Sequence, residues 1–234
     1  MNWKPKIKIF ADGATLAEIA ELDSNPIVSG FTTNPSLMRK LGVTDYEAFC
    51  RSVLDTTQKP VSFEVLSDEP MEIRRQAEKI AAWGDNVFVK IPIIHADGSD
   101  LFQLISDLAS NGIQLNVTAI LTQTQIRNAI AAVSARTPSV LSVFAGRIAD
   151  TGVDPWPWMY DAKQAKKANS ELLWASVREP LNIYQAEQCG ADIVTVPIPI
   201  LRKAIAMHQA SLRELAKETV AMFVSDANAC AFTV

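Results

Sequence analysis

Gly84-Asp85-Asn86-Val87-Phe88-Val89-Lys90-Ile91-Pro92 reads as a turn followed by a buried strand that a proline closes. Apart from Lys90, residues 87–91 are all β-branched or aromatic. Residues 69–83 before it and 101–110 after it carry the apolar spacing of amphipathic helices. The segment is therefore a strand between two helices, and the same unit recurs along the chain. Candidate strands fall at 7–11, 27–32, 60–65, 87–91, 113–119, 140–145, 172–176 and 193–196. Helical segments lie between them at 15–22, 46–55, 69–83, 101–110, 123–134, 162–169 and 180–188. Turn signals such as Asp23-Ser24-Asn25-Pro26, Asn111-Gly112 and Cys189-Gly190-Ala191-Asp192 punctuate them. Eight strand–helix units of roughly 25 to 30 residues each predict a single (β/α)8 TIM barrel in the α/β class.

The rival arrangement is a doubly wound open sheet, which carries its ligand at a glycine-rich switch point. The chain has no Gly-x-Gly-x-x-Gly after a strand and no Gly-Lys-Ser/Thr phosphate loop. It also has no low-complexity segment or linker, so residues 1–234 are expected to form one domain. After the eighth strand, 200–207 and 211–225 both read as helices, which leaves one helix beyond the eight units. In 211–225, Leu212, Leu215, Ala216, Val220, Phe223 and Val224 form an apolar stripe opposite Arg213, Glu214, Lys217 and Glu218. A barrel closed by eight helices has little surface left to cover that stripe, so it marks a contact between subunits. The alternative is that this helix folds back on its own barrel.

Composition narrows the function. Of the 234 residues, 48% are hydrophobic and 21% charged, with a formal net charge of -4. That mild acidity speaks against a nucleic-acid partner, which calls for a basic face. No apolar run approaches the roughly 18 residues of a membrane span. The start, Met1-Asn2-Trp3-Lys4-Pro5-Lys6, lacks the apolar segment of a signal peptide. Cys50, Cys189 and Cys230 are odd in number and far apart, so a structural disulfide or zinc site is not expected and a reducing cytoplasm is. Two histidines, His95 and His208, are too few for a multi-histidine metal centre.

In a barrel, chemistry sits where the strands end at their C-terminal face. Those ends, read in order, are Asp12, Thr32-Thr33-Asn34, Glu64, Lys90, Asn116 with Thr118, Ser142 with Arg147, and Ser176 with Arg178. Ser62 and Glu64 are two apart, as are Asn116 and Thr118, so each pair shares one face of its strand. A lysine among apolar residues is costly to bury as an unpaired ammonium and should shed its proton easily. A neutral amine at a strand end is the nucleophile for imine chemistry with carbonyl substrates. The alternative is a lysine that snorkels to water at the strand edge.

These residues resemble the transaldolase family of class I aldolases. The matching runs are Phe10-Ala11-Asp12, Thr32-Thr33-Asn34-Pro35-Ser36-Leu37, Phe63-Glu64-Val65, Val89-Lys90-Ile91-Pro92, Asn116-Val117-Thr118, Phe144-Ala145-Gly146-Arg147-Ile148, Ala175-Ser176-Val177-Arg178 and Thr195-Val196-Pro197. They fall in the family's order, and the length resembles its short branch, which also holds fructose-6-phosphate aldolases. The resemblance implies that Lys90 forms an imine with a ketose phosphate and that Asp12 takes a hydroxyl proton as the carbon–carbon bond breaks. A dihydroxyacetone unit then stays on Lys90 until an acceptor aldose phosphate arrives. Glu64 and Thr118 would hold a proton-shuttling water. Thr32, Asn34, Asn116, Ser142 and Phe144 would line the substrate, and Arg147, Ser176 and Arg178 would bind its phosphate. No cofactor or metal is implied, and the implied partners are phosphorylated sugars and copies of the chain, as a decamer or a dimer.

Two positions bear on the branch. Glu64 stands where the fructose-6-phosphate aldolases carry glutamine, and Phe144 where they carry tyrosine, so both match transaldolases. Val143 departs from the proline usual after the serine, and Trp156-Pro157-Trp158 decorates the loop after strand six. Those tryptophans either pack against a neighbouring helix or line the acceptor mouth. Three functions stand open: a transaldolase, a class I aldolase of the fructose-6-phosphate or specialised biosynthetic kind, and a sugar-phosphate-binding barrel without turnover.

Overall fold

The computed structural model describes residues 3–230; Met1, Asn2 and residues 231–234, including the first two residues of the basic start, lie outside them. Eight parallel strands close into a barrel in chain order: β1 Lys8–Asp12, β2 Val28–Thr32, β3 Val61–Glu64, β4 Val87–Pro92, β5 Leu115–Ile120, β6 Ser139–Val143, β7 Ser170–Trp174 and β8 Ile193–Pro197. The expected strands all occur, with boundaries shifted by up to two residues. The helices are α1 Leu16–Asp23, α2 Pro35–Lys40, α3 Tyr46–Thr56, α4 Pro70–Ala81, α5 Phe102–Ser110, α6 Gln123–Ala132, α7 Ala145–Ala149, α8 Trp156–Ala165, α9 Leu181–Gln188, α10 Ile198–Met207 and α11 Leu212–Ala229. Capping boxes start α1 at Thr15 with Glu18 and α6 at Thr122 with Gln125.

The helices differ from expectation in three places. The α2 and α7 helices are six and five residues long, too short for an apolar period to show. The α8 helix begins at Trp156 instead of residue 162, because Pro157 and its neighbours form its first turn. Trp156 and Trp158 therefore pack against the helical layer, and neither lines the cavity at the strand ends. In α11, by contrast, no residue is buried, and Phe223 remains 60% exposed. The chain leaves α10 at His208, which stacks on Trp3 with ring centroids 5.4 Å apart, and turns at Gln209 with φ +60°. The helix does not fold back onto its own barrel.

Register decides what meets inside. Asp12 pairs with Thr32, Glu64 with Lys90, and Lys90 with Asn116. Laterally paired residues of parallel strands point the same way, so one rank of polar side chains faces the barrel axis. Beneath that rank Phe10, Val140, Leu173 and Ile193 form an apolar plug, separate from the larger core between strands and helices. Phe10 fits because β2 presents Gly30 opposite it, where a Cβ would stand 2.6 Å from the ring.

Gly30→Ala should therefore force the Phe10 ring aside. Overpacking of this kind costs about 1–3 kcal/mol, more than the roughly 0.5–1 kcal/mol that replacing a strand glycine recovers. Thermal denaturation should show a lower Tm, largely restored by adding Phe10→Leu. An unchanged Tm in the single variant would show that the plug is not tightly filled.

Candidate active site

A cavity of about 380 Å3 opens at the C-terminal ends of the strands. Lys90 reaches it from β4 with only 8% of its side chain exposed, so it does not snorkel to water. Its Nζ donates to the Thr33 carbonyl at 2.7 Å and lies 3.1 Å from Glu64 Oε2. The lysine is thus a partnered buried group and not the isolated cation that the apolar sequence around it suggests. Glu64 is held in turn from behind, where the Tyr46 hydroxyl donates to its backbone carbonyl at 2.6 Å.

Asp12 lines the same cavity from the end of β1. Burial pushes its carboxyl above the ordinary value of 3.8, while the Lys90 charge and the Thr32 hydroxyl pull it back down. Thr32 Oγ1 donates to Asp12 Oδ1 at 2.8 Å and also meets Thr195 Oγ1 of β8 in a short hydrogen bond. A carboxylate can only accept, so Thr32 gives its proton to Asp12 and Thr195 gives its own to Thr32. Neighbouring strands on both sides of β1 thereby hold Asp12 in place.

Above the plug runs a second network. Ser142 Oγ donates to Asn116 Oδ1 at 2.7 Å, and Asn116 Nδ2 donates to Ser62 Oγ at 2.9 Å. Asn116 is fully buried, and its orientation is set by its neighbours before any ligand binds. Thr118 Oγ1 is buried with no hydrogen-bond partner, although Thr118 lines the cavity beside Glu64. Asn34 also lines the cavity, but its Oδ1 accepts from Leu37 N at 3.0 Å as the N-cap of α2. Its amide N–H groups and the second lone pair of Oδ1 remain available for a ligand.

The rim beside Phe144 is built by backbone packing. A Cβ on Gly146 would stand 1.6 Å from the Ser176 carbonyl oxygen, so only glycine admits this approach. Ser176 itself sits at φ +66°, a left-handed conformation that non-glycine residues seldom adopt. The contact brings Arg147 and Arg178 to one edge. Arg147 and Ser176 line the cavity; Arg178 does not. Its guanidinium pairs with Asp150 at 2.5 Å.

The cavity thus gathers Asp12, Thr32, Asn34, Glu64, Lys90, Asn116, Thr118, Ser142, Phe144, Arg147 and Ser176, with Arg178 left outside its wall. It also includes Ser36 and Thr195, to which the motifs assign no role, and Ala119 at φ +58°. Strand parity could have flagged Thr195, since it is polar and lies two residues from Pro197 on the inner face of β8.

A profile described as transaldolase/fructose-6-phosphate aldolase matches residues 9–233. A probable transaldolase of Dehalococcoides mccartyi is 34% identical over 83% of this chain and 88% of its own. Another, from Carboxydothermus hydrogenoformans, is 32% identical over 94% and 97%. Among solved structures, phosphoenolpyruvate phosphomutase from Streptomyces platensis superposes with a TM-score of 0.56 at 10% identity, covering 98% of this chain and 96% of that one. That last likeness concerns the fold alone. With a family profile spanning nearly its whole length and relatives above 30% identity over most of theirs, the chain belongs to the transaldolase/fructose-6-phosphate aldolase family.

Proposed function

We propose that this protein is a transaldolase that moves a dihydroxyacetone unit from a ketose phosphate to an aldose phosphate through a Schiff base on Lys90. The observation that carries the reading is the buried Lys90 amine at the cavity wall, 3.1 Å from the Glu64 carboxylate. Once deprotonated, the amine attacks the ketone and water leaves as the imine forms. Glu64 and Thr118, both at the cavity wall, hold the water through which those protons pass; the unpartnered Thr118 hydroxyl supports this role. Asp12 takes the proton of the neighbouring hydroxyl as the carbon–carbon bond breaks, and the protonated imine draws the electron pair into an enamine. Asn34, Asn116 and Ser142 hold the triose hydroxyls. Arg147, Ser176 and Arg178 bind the phosphate, for which the planar fork of arginine is suited.

Glu64 and Phe144 favour transfer over simple cleavage. Phenylalanine offers no hydroxyl to a catalytic water, so the enamine is protonated slowly and waits for an acceptor. The fructose-6-phosphate aldolase reading uses the same lysine chemistry, and the family description covers both activities. Among the described residues no helix is long and apolar enough to cross a membrane. The free cysteines Cys50, Cys189 and Cys230 fit a reducing, cytoplasmic setting. The uncovered stripe of α11 supports a homo-oligomer, a decamer or a dimer, in which that helix joins one barrel to the next.

Borohydride added with fructose 6-phosphate should inactivate the enzyme and leave a dihydroxyacetone-derived mass on the peptide that holds Lys90. Release of glyceraldehyde 3-phosphate should depend on an acceptor such as erythrose 4-phosphate. Release without acceptor would make the protein an aldolase, and absence of label at saturating donor would sink the imine.

Asp12 gives a pH-dependent pair of outcomes. An aspartate whose pKa is raised by folding stabilises the protein fully only below its unfolded value near 3.8, and that contribution is lost as pH rises through the folded value. Asp12→Asn should therefore melt higher than the parent at pH 7, with the difference closing as the pH falls toward 3.8. The same variant should lose about 10²- to 10⁴-fold in turnover. A variant that melts lower at pH 7 would show that the ionised carboxylate supports the fold.

Sedimentation of the intact chain and of one ending at Gln209 tests the joint. The intact chain should sediment as an oligomer and the truncated one as a smaller species. A monomeric intact protein, or an oligomer unchanged by truncation, would show that α11 does not join subunits.

A further inference from the structure

The two arginines at the rim are held by different kinds of partner. The Arg147 guanidinium lies 5.1 Å above the centre of the neutral Phe144 ring and lines the cavity. Among the described residues it has no carboxylate partner, whereas Arg178 is paired with Asp150. Asp150 closes the C-terminal end of α7, where its backbone N–H donates to the Gly146 carbonyl at 3.0 Å. The Arg178 stem passes beside Gly146, with its Cγ 3.4 Å from where a Cβ on that glycine would stand. The side chain is thus drawn along α7 toward Asp150, and Arg178 is absent from the cavity wall that holds Ser176 two residues before it.

We propose that Asp150 sets the phosphate affinity of this site by holding the Arg178 guanidinium off the cavity, so that a substrate phosphate must displace a carboxylate to recruit it. The inference rests on the reading of this rim as the phosphate site. Carboxylate and phosphate compete for the same planar donor fork, and the dianion is the stronger claimant. Both side chains of the pair are 49% exposed, so the exchange is a small one in free energy. Arg147 is then the standing phosphate contact and Arg178 a conditional one. Asp150 takes Arg178 back when the phosphorylated product leaves, which favours release.

Steady-state kinetics of the full chain test this with fructose 6-phosphate and with unphosphorylated fructose as donors. Asp150→Asn should lower the KM for fructose 6-phosphate about two- to fivefold, the scale of an exposed ion pair. It should leave the KM for fructose unchanged, and inorganic phosphate should become a tighter competitive inhibitor by the same factor. Asp150→Ser, which removes the charge without supplying an amide, should behave alike. In an Arg178→Ala background the substitution should have no further effect. An unchanged or higher KM for fructose 6-phosphate in both Asp150 variants would overturn the proposal. So would a tightening that survives in the Arg178→Ala background, since Asp150 would then act through its charge on the phosphate itself. If Arg178→Ala alone leaves fructose 6-phosphate binding intact, Arg178 is not recruited and this inference fails, whereas the phosphate reading of the rim fails only if Arg147→Ala also leaves that binding intact.

Discussion

A buried ammonium has to be partnered, and the site is organised around the way the barrel partners Lys90. Parallel register sets Glu64 directly beside it on β3 and Asn116 on β5. The end of β2 supplies the Thr33 carbonyl. None of these contacts is local in sequence; each depends on parallel pairing of neighbouring strands. A lysine left alone at this depth would cost several kcal/mol. The arrangement that meets that cost also sets a carboxylate beside the amine at the cavity wall.

The second organising contact is between backbones. Gly146 and Ser176 approach so closely that no side chain fits between them, and Ser176 is held in a left-handed conformation. Strain of this sort persists where the surroundings over-determine it. Here it fixes the spacing between the start of α7 and the turn after β7, and with it the separation of two arginine stems. The side chains on that frame are then free to differ in what they hold. One guanidinium rests on an aromatic ring and the other on a carboxylate.

The periphery follows a different rule. Trp156 and Trp158 are partly buried because α8 turns them toward the outer core. Helix α11 leaves its apolar side chains in solvent because the barrel beneath it is already complete. Leu212, Val220, Phe223 and Val224 are each more than half exposed.

Much of this was legible in the residues themselves. The period of Val87–Pro92 and its seven counterparts determined eight strands, and the turn signals separated them, because periodicity and turn chemistry are local properties. The inner parity of Ser62 with Glu64 and of Asn116 with Thr118 likewise follows from the pleat. The short helices α2 and α7 escaped because five or six residues carry no measurable period. Thr195 escaped as a support for Asp12 because it acts through Thr32 from β8, which only closure of the barrel brings beside β1. Arg178 was legible as a cation beside the site, but its direction was not, since Asp150 lies 28 residues away in sequence. The sequence by itself determined which side chains stand on the inner faces and at the strand ends. Tertiary structure alone decided which of them pair, because pairing is a matter of distances across a closed sheet that no single strand contains.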